Sequence, residues 1–205
     1  MEKHNPLFDR IALIVFAKTL DVPVKTRIAR TEGKAAADRI YRELLDRTAA
    51  AIADIPYHVA FAGNQSPGML ATIFGRAVSF FLQHGDDLGI RMKNASLHCM
   101  EQGYAGSIVI GCDCPLRTAE DILAAAEQVK NGDNVVLGPV SDGGYSLAGV
   151  DSCGLAIFDA TKWSTAELME ETLEIIRSRG LKSSLLPVLD DIDTIEDYRK
   201  WKNLF

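Results

Sequence analysis

The segment Lys18-Thr-Leu-Asp-Val-Pro-Val-Lys-Thr-Arg27 sets Lys25, Thr26 and Arg27 side by side, with Lys18 at its start. An ammonium and a guanidinium donate charge-assisted hydrogen bonds to phosphate oxygens, so this grouping suits a diphosphate. A solvated basic loop is the plain alternative. The position directly after a buried apolar run favours the ligand. The chain has no G-x-x-x-x-G-K-[ST] and no G-x-G-x-x-G after a strand, so it carries neither a P-loop nor a nicotinamide fingerprint.

A second group is acidic. Asp113 stands in Ile108-Val-Ile-Gly-Cys-Asp-Cys-Pro115, just past an apolar run. Mg²⁺ is commonly bound by one or two carboxylates, with phosphate and water completing the shell. Asp113 is therefore a candidate metal ligand, and Asp191 in Asp190-Asp-Ile-Asp-Thr194 is a candidate second one. Asp193 is read as the cap of the last helix. In Ser141-Asp-Gly-Gly-Tyr145, Gly143 and Gly144 allow close backbone approach to a sugar or acceptor, or simply a tight turn. Asp142 is a candidate for positioning or deprotonating an acceptor hydroxyl. Asp87 and Arg91 either face the nucleotide or form a helical i,i+4 pair. Trp163 is a core contact with an exposed edge, or an aromatic wall for a sugar.

The elements that must position these groups alternate. Ile11–Ala17 reads as a strand buried on both faces, followed by a polar segment to about Arg30 and a helix over Gly33–Asp54. Strands are predicted at 57–62, 78–82, 107–110, 135–137, 145–150 and 185–189. Gly63-Asn64 stops the second of these, and Gln65 to Arg76 is ambiguous, with a short helix as one option. Asp87 opens a helix running to about Gly103. Thr118 with Asp121, Ser164 with Glu167, and Asp193 with Glu196 each fit a capping template for further helices. This order predicts one α/β domain over residues 1–205, three-layered and Rossmann-like, with a mixed, mostly parallel sheet. Ligands then sit beyond the carboxyl ends of the strands.

Composition narrows the function. Lys and Arg number 22 against 28 Asp and Glu, a net charge of −6. Broad electrostatic binding to nucleic acid or anionic lipid is not expected. The run Ile11–Ala17 is too short for a signal core or a membrane span, so a cytoplasmic protein is expected. The cysteines Cys99, Cys112, Cys114 and Cys153 give only one C-x-C, poor zinc spacing, and His4, His58, His84 and His98 form no zinc motif. Reduced thiols are expected. No apolar stripe demands a homodimer, though one is compatible with the sequence.

In order along the chain stand Val15-Phe-Ala-Lys18, Val24-Lys-Thr-Arg27, Gly85-Asp-Asp-Leu-Gly-Ile-Arg-Met92, Ile110-Gly-Cys-Asp-Cys-Pro115, Val136-Leu-Gly-Pro-Val-Ser-Asp-Gly-Gly-Tyr145, Trp163-Ser-Thr165 and Asp191-Ile-Asp-Thr-Ile-Glu-Asp197. The set resembles a bacterial glycosyltransferase-A-like family of the DUF2064 type, whose physiological role is unassigned. That family is related to nucleotide-diphospho-sugar transferases and to phospholactate guanylyltransferases and molybdenum-cofactor nucleotidyltransferases. The resemblance implies a nucleotide-diphospho-sugar transferase fold in which the strand after Asp142-Gly-Gly144 runs antiparallel. It also implies phosphate contacts from Lys25 and Arg27, a metal-binding aspartate at Asp113, and a sugar or acceptor side at Asp142–Gly144. The family's Pro-x-Pro-Gly-type loop before Lys-Thr-Arg is one residue longer. Here it reads Thr19-Leu-Asp-Val-Pro-Val24, without glycine. The expected activity is transfer from a nucleotide-diphospho-sugar to a small-molecule acceptor, with Mg²⁺ or Mn²⁺ as cofactor. The alternatives are a nucleotidyltransferase that releases pyrophosphate and a nucleotide-binding module without turnover.

Overall fold

The computed structural model describes residues 6–63 and 66–204; His4, Asn64 and Gln65, named above, lie outside them. Its centre is the predicted first strand, β1 (Ile11–Lys18). Leu13, Ile14 and Val15 are wholly buried, each stabilising the fold by about 1.5–3 kcal/mol. Successive side chains point to opposite faces. Leu13 and Val15 therefore join one apolar layer and Ile14 the other.

The remaining elements are α1 (Thr26–Glu32), α2 (Lys34–Ala51), β2 (His58–Ala62), α3 (Met69–Ile73), β3 (Ser79–Leu82), α4 (Leu88–Glu101), β4 (Gly106–Gly111), α5 (Ala119–Lys130), β5 (Val135–Pro139), β6 (Tyr145–Asp151), α6 (Leu168–Ser178), β7 (Ser183–Leu185) and α7 (Ile195–Trp201). The strands form one seven-stranded sheet in the order β3-β2-β1-β4-β6-β5-β7. All pairings are parallel except those of β6, which runs antiparallel to β4 and β5, as the resemblance implied. Tyr41 and Leu45 of α2, Ile52 just past its end, and Ile122 and Ala126 of α5 cover one face. Met92, Ala95 and Cys99 of α4 and Ile176 of α6 cover the other. This is the three-layer α/β architecture expected. From β1 the chain builds the sheet outwards through β2 and β3, then crosses to β4 on the other side. The crevice outside β1 and β4 is thus a topological switch point.

Four local expectations are corrected. The long helix begins earlier and is broken: Thr26–Glu32 is already helical, and Gly33, at φ 84, separates it from α2. Ile28 anchors the short helix by packing with Ile40, Leu44 and Tyr198. Ser164 and Glu167 form no capping box. Ser164 sits at φ 64, the helix starts at Leu168, and Glu167 makes no cap bond. Glu171 instead accepts from the N–H groups of Thr161 and Lys162. The last strand is Ser183–Leu185, not 185–189, because Pro187 has no N–H with which to extend the ladder; only a single bridge joins Leu189 to Val140. The cap of α7 is Thr194, in a capping box with Asp197, rather than Asp193. The Thr118–Asp121 box forms as read. Among the described residues no helix is long and apolar enough to cross a membrane.

Candidate functional site

The loop after β1 is held from below. Thr19 N–H donates to Ala62 O at 2.9 Å, and Val24 is buried. With no glycine in the loop, Lys25 itself takes the left-handed conformation, φ 44 and ψ 51, which a non-glycine residue adopts only when its surroundings hold it there. The side chain of Lys25 is 3% exposed. Its Nζ lies 2.6 Å from Asp113 Oδ1 and 3.4 Å from Asp193 Oδ1, and it donates to Ile192 O. An ammonium has three protons, and three acceptors surround this one. Burial, the largest influence, pulls the Lys25 pKa down. Asp113, Asp193 and Asp191 together overcome it and hold the group above the ordinary lysine value.

The carboxylates come from two loops that are tied together. Ile192 N–H donates to Asp113 O at 2.8 Å. Ile192 is wholly buried against α1, α2 and α7, so the aspartates that flank it, Asp191 and Asp193, face the cleft. Asp191 is the anomalous group. Its Oδ1 is buried with no hydrogen-bond partner among the described residues. Burial first, then Asp113, with Asp142 and Asp193 adding to it and Lys25 opposing, pushes its pKa up to about 7. Its neighbour Asp190 faces outward and is held below the usual carboxylate range by Lys200, 2.5 Å away, and by Ser141.

These groups line one cleft of about 640 Å³ at the carboxyl ends of the strands. Of the residues singled out in the sequence, Lys18, Lys25, Thr26, Arg27, Asp113, Asp142, Gly144, Trp163 and Asp191 all border it. Arg27 is 65% exposed, with Nη1 3.5 Å from Asp193 Oδ2. Asp142 Oδ1 accepts from Gly144 N–H at 3.0 Å, an Asx turn that leaves its second oxygen outside that bond. Gly143 does not border the cleft. A Cβ there would lie 2.3 Å from Ala166 O, so the close approach it allows is to this chain's own 164–166 segment. Trp163 packs edge-on against Tyr145, its ring centre 6.0 Å away, and leans on Gly89, where a Cβ would meet the indole nitrogen at 2.4 Å.

Asp87 and Arg91 are employed elsewhere. Asp87 caps α4 by accepting from Ile90 N–H at 2.8 Å, and Arg91 Nε donates to Gly85 O at 2.8 Å. Neither borders the cleft, and Arg91 Nε is turned to Gly85 O while Asp87 Oδ1 holds Ile90 N–H.

Two groups escaped the sequence reading. Asp193 caps nothing: Thr194-x-x-Asp197 forms the capping box, and Asp193 borders the cleft. Gln83, at the end of β3, also borders the cleft. Its Nε2 donates to Ala60 O at 2.9 Å and to Ala17 O at 3.3 Å. Two carbonyls fix the amide's orientation, so Oε1, an acceptor, is the end it offers to a ligand. Cys112 and Cys114 are free and buried, their thiols pushed by burial to about 12 and 11. Thiolate ligation is thus disfavoured. Among the described residues no group of three or more His, Cys, Asp or Glu side chains is placed to hold a metal ion unaided.

Comparison with solved structures matches this architecture. A Desulfovibrio desulfuricans G20 protein, described as a "putative nucleotide-diphospho-sugar transferase", shares 29% identity over 94% of this chain and 88% of its own, with a TM-score of 0.82. The 4-diphosphocytidyl-2C-methyl-D-erythritol synthase of Anaerococcus prevotii DSM 20548 shares the fold at 10% identity, TM-score 0.60, over 96% of this chain and 97% of its own. Rv0371C of Mycobacterium tuberculosis H37Rv, solved in complex with manganese, does so at 12% identity, TM-score 0.52, over 93% and 97%. No curated protein matches the chain. A family model covers residues 44–165, more than half the sequence, and the chain therefore belongs to the bacterial family described as "Uncharacterized protein conserved in bacteria (DUF2064)".

Proposed function

We propose that this protein is a transferase that takes a nucleotide-diphospho-sugar donor and passes the sugar to a small-molecule acceptor, with Mg²⁺ or Mn²⁺ as cofactor. One observation carries the reading. Asp113, Asp142, Asp191 and Asp193 gather at one cleft beside a single buried ammonium, and one Asp191 oxygen is buried without a partner among the described residues. These carboxylates outnumber Lys25 and Arg27, the cations paired with them.

The donor set fits a hard divalent cation held by Asp113 and Asp191. Two carboxylates are a usual protein share of a Mg²⁺ shell, with phosphate oxygens and water supplying the rest. Such an ion, when bound, supplies charge compensation for a departing nucleoside diphosphate.

The chain's own residues do the remaining work. Lys25 locks Asp113 and Asp193 in place, so it acts as a strut more than as a free phosphate donor. Arg27, with its exposed guanidinium, reaches the phosphate oxygens, alongside Lys18 and the Thr26 hydroxyl. Gln83 Oε1 accepts from an N–H of the base, favouring a base with a donor on that edge. Asp142 orients and deprotonates the acceptor hydroxyl with the oxygen not used in its turn. Trp163 and Gly144 wall the acceptor side. A cleft of about 640 Å³ is within the usual span of ligand sites, roughly 300–1,000 Å³.

The test is product identification. The protein is incubated with a panel of nucleotide-sugars and acceptors, and separately with nucleoside triphosphates and sugar phosphates, with and without Mn²⁺. Release of a nucleoside diphosphate from a nucleotide-sugar is expected. Pyrophosphate release would replace the reading with nucleotidyl transfer. Saturable nucleotide binding with no product would reduce it to a binding module.

A further inference from the structure

Tyr41 also borders the cleft. It rises from α2, with its ring in the apolar layer that holds Leu45 and Val24, and only 5% of the residue is exposed. Its hydroxyl accepts from Lys18 N–H at 2.7 Å. That contact sets the tip of the side chain at the carboxyl end of β1, where the cleft opens. Burial first, then Cys112 and Asp113, push the Tyr41 pKa well above the ordinary tyrosine value, against the opposing Lys18 N–H. The group therefore stays protonated at neutral pH. A phenol oxygen that accepts one N–H still has its own O–H to donate. Among the described residues the hydrogen bond of this hydroxyl is the one it accepts from Lys18. A buried donor without an acceptor is costly, so a ligand that brings one is favoured.

The loop after β1 leaves such a donor a part to play. Its opening N–H groups are spent inside the chain, that of Lys18 on Tyr41 and that of Thr19 on Ala62 O at 2.9 Å. Val22 N–H turns back to Thr19 O at 3.4 Å, and Pro23 has no N–H. Lys25 spends its protons on Asp113, Asp193 and Ile192 O. Tyr41 passes one of these committed donors onward. Lys18 N–H polarises the phenol oxygen, and a polarised hydroxyl is the stronger donor.

We propose that the Tyr41 hydroxyl donates to a diphosphate oxygen of the nucleotide donor, as the second step of a relay that begins at Lys18 N–H. The inference rests on the donor site proposed above and adds to it a contact from α2. The bond joins a neutral donor to an ionised acceptor, a strong class of hydrogen bond.

Binding of GDP, UDP, CDP and ADP, and of the corresponding nucleosides, is measured by calorimetry with Mn²⁺ present. The full chain is compared with Tyr41→Phe, which keeps the ring. Tyr41→Phe should bind the diphosphate that the wild type prefers about tenfold to a hundredfold more weakly, with affinity for the matching nucleoside unchanged. If both affinities fall together, or neither falls, the hydroxyl only braces the loop and the proposal fails. A wild type that binds no nucleoside diphosphate removes the donor site itself, and the relay with it. A crystal structure of the wild type with the bound diphosphate and Mn²⁺ decides the matter even if Tyr41→Phe does not fold. Tyr41 Oη is expected within about 3 Å of a phosphate oxygen. A nearest phosphate oxygen beyond about 3.5 Å overturns the proposal.

Discussion

The two ends of the sheet treat their aspartates in opposite ways. At the amino ends of the parallel strands, Asp133 is buried yet fully engaged, by Lys182 at 2.7 Å and by the Ser184 hydroxyl. Those partners hold its pKa below the ordinary 3.8. Beside it, Asn134 bridges Asp151 and Lys182, and Asp151 accepts from the N–H groups of Cys153 and Gly154. At the carboxyl ends, Asp191 keeps an oxygen with no partner among the described residues, and Asp113 and Asp193 share one lysine. The lower network closes on itself and stabilises the fold. The upper one holds a buried acceptor oxygen that the described residues do not use, the arrangement expected at a ligand site.

The largest expected effect separates the two ends by function. Asp113→Asn should weaken Mn²⁺-dependent nucleotide binding by about a hundredfold or more, since a lost metal carboxylate is worth several kcal/mol. Stability should stay within about 1 kcal/mol of wild type, because Lys25 keeps Asp193 and the Ile192 carbonyl while Asp191 loses a repulsive neighbour. Calorimetric titration and thermal melts on the same sample check both halves. Unchanged binding would erase the functional contrast. At the lower end Asp133→Ala should do the reverse, lowering stability by about 1–3 kcal/mol, since it strips partners from a buried network. Nucleotide affinity should not change.

Acid and base should expose the same contrast with opposite signs. Asp191 has a folded pKa of about 7 against an ordinary 3.8. Between those values the folded state holds a proton that the unfolded chain has released, so stability is highest below about pH 4 on this account and falls as pH rises through 7. At about 1.36 kcal/mol per pH unit the gap corresponds to roughly 4 kcal/mol. Asp133, with its pKa depressed, contributes stability above pH 3.8 that is lost as pH falls through its folded value. Urea unfolding across pH 3–8 should therefore show Asp191→Asn flattening the neutral slope and Asp133→Ala flattening the acid limb. A slope in Asp191→Asn equal to wild type would mean that the upper carboxylate is not strained.

What the sequence disclosed follows from burial. Strand β1 was legible because a strand covered on both faces must be apolar throughout, and Asp113 was legible because it breaks such a run at the carboxyl end of β4. Gln83 was not, since the two carbonyls that orient it come from β1 and β2, which only the parallel register brings beside it. Asp193 was hidden by a one-residue ambiguity. Asp193-x-x-Glu196 and Thr194-x-x-Asp197 both fit a capping template, and in the structure the cap is Thr194. With Ile192 packed inward, Asp191 and Asp193 must both turn towards Lys25. The short helix α1 was missed because a single buried residue, Ile28, gives no period to read.

The smallest effect concerns the joint between site and scaffold. Thr194 Oγ1 accepts from Asp197 N–H at 3.2 Å, and Asp197 Oδ2 accepts from Asp193 N–H, Thr194 N–H and the Thr194 hydroxyl. Thr194→Ala removes one half of this box and should cost about 1 kcal/mol of stability. The carboxylate of Asp197 still holds the Asp193 backbone, so Asp193 should keep its place against Lys25 and Arg27. Nucleotide affinity should then fall less than about threefold, a change of roughly 0.6 kcal/mol. A loss of binding as large as that of Asp113→Asn would show that the cap of α7, more than the pairing with Lys25, fixes the carboxylates at the mouth of the cleft.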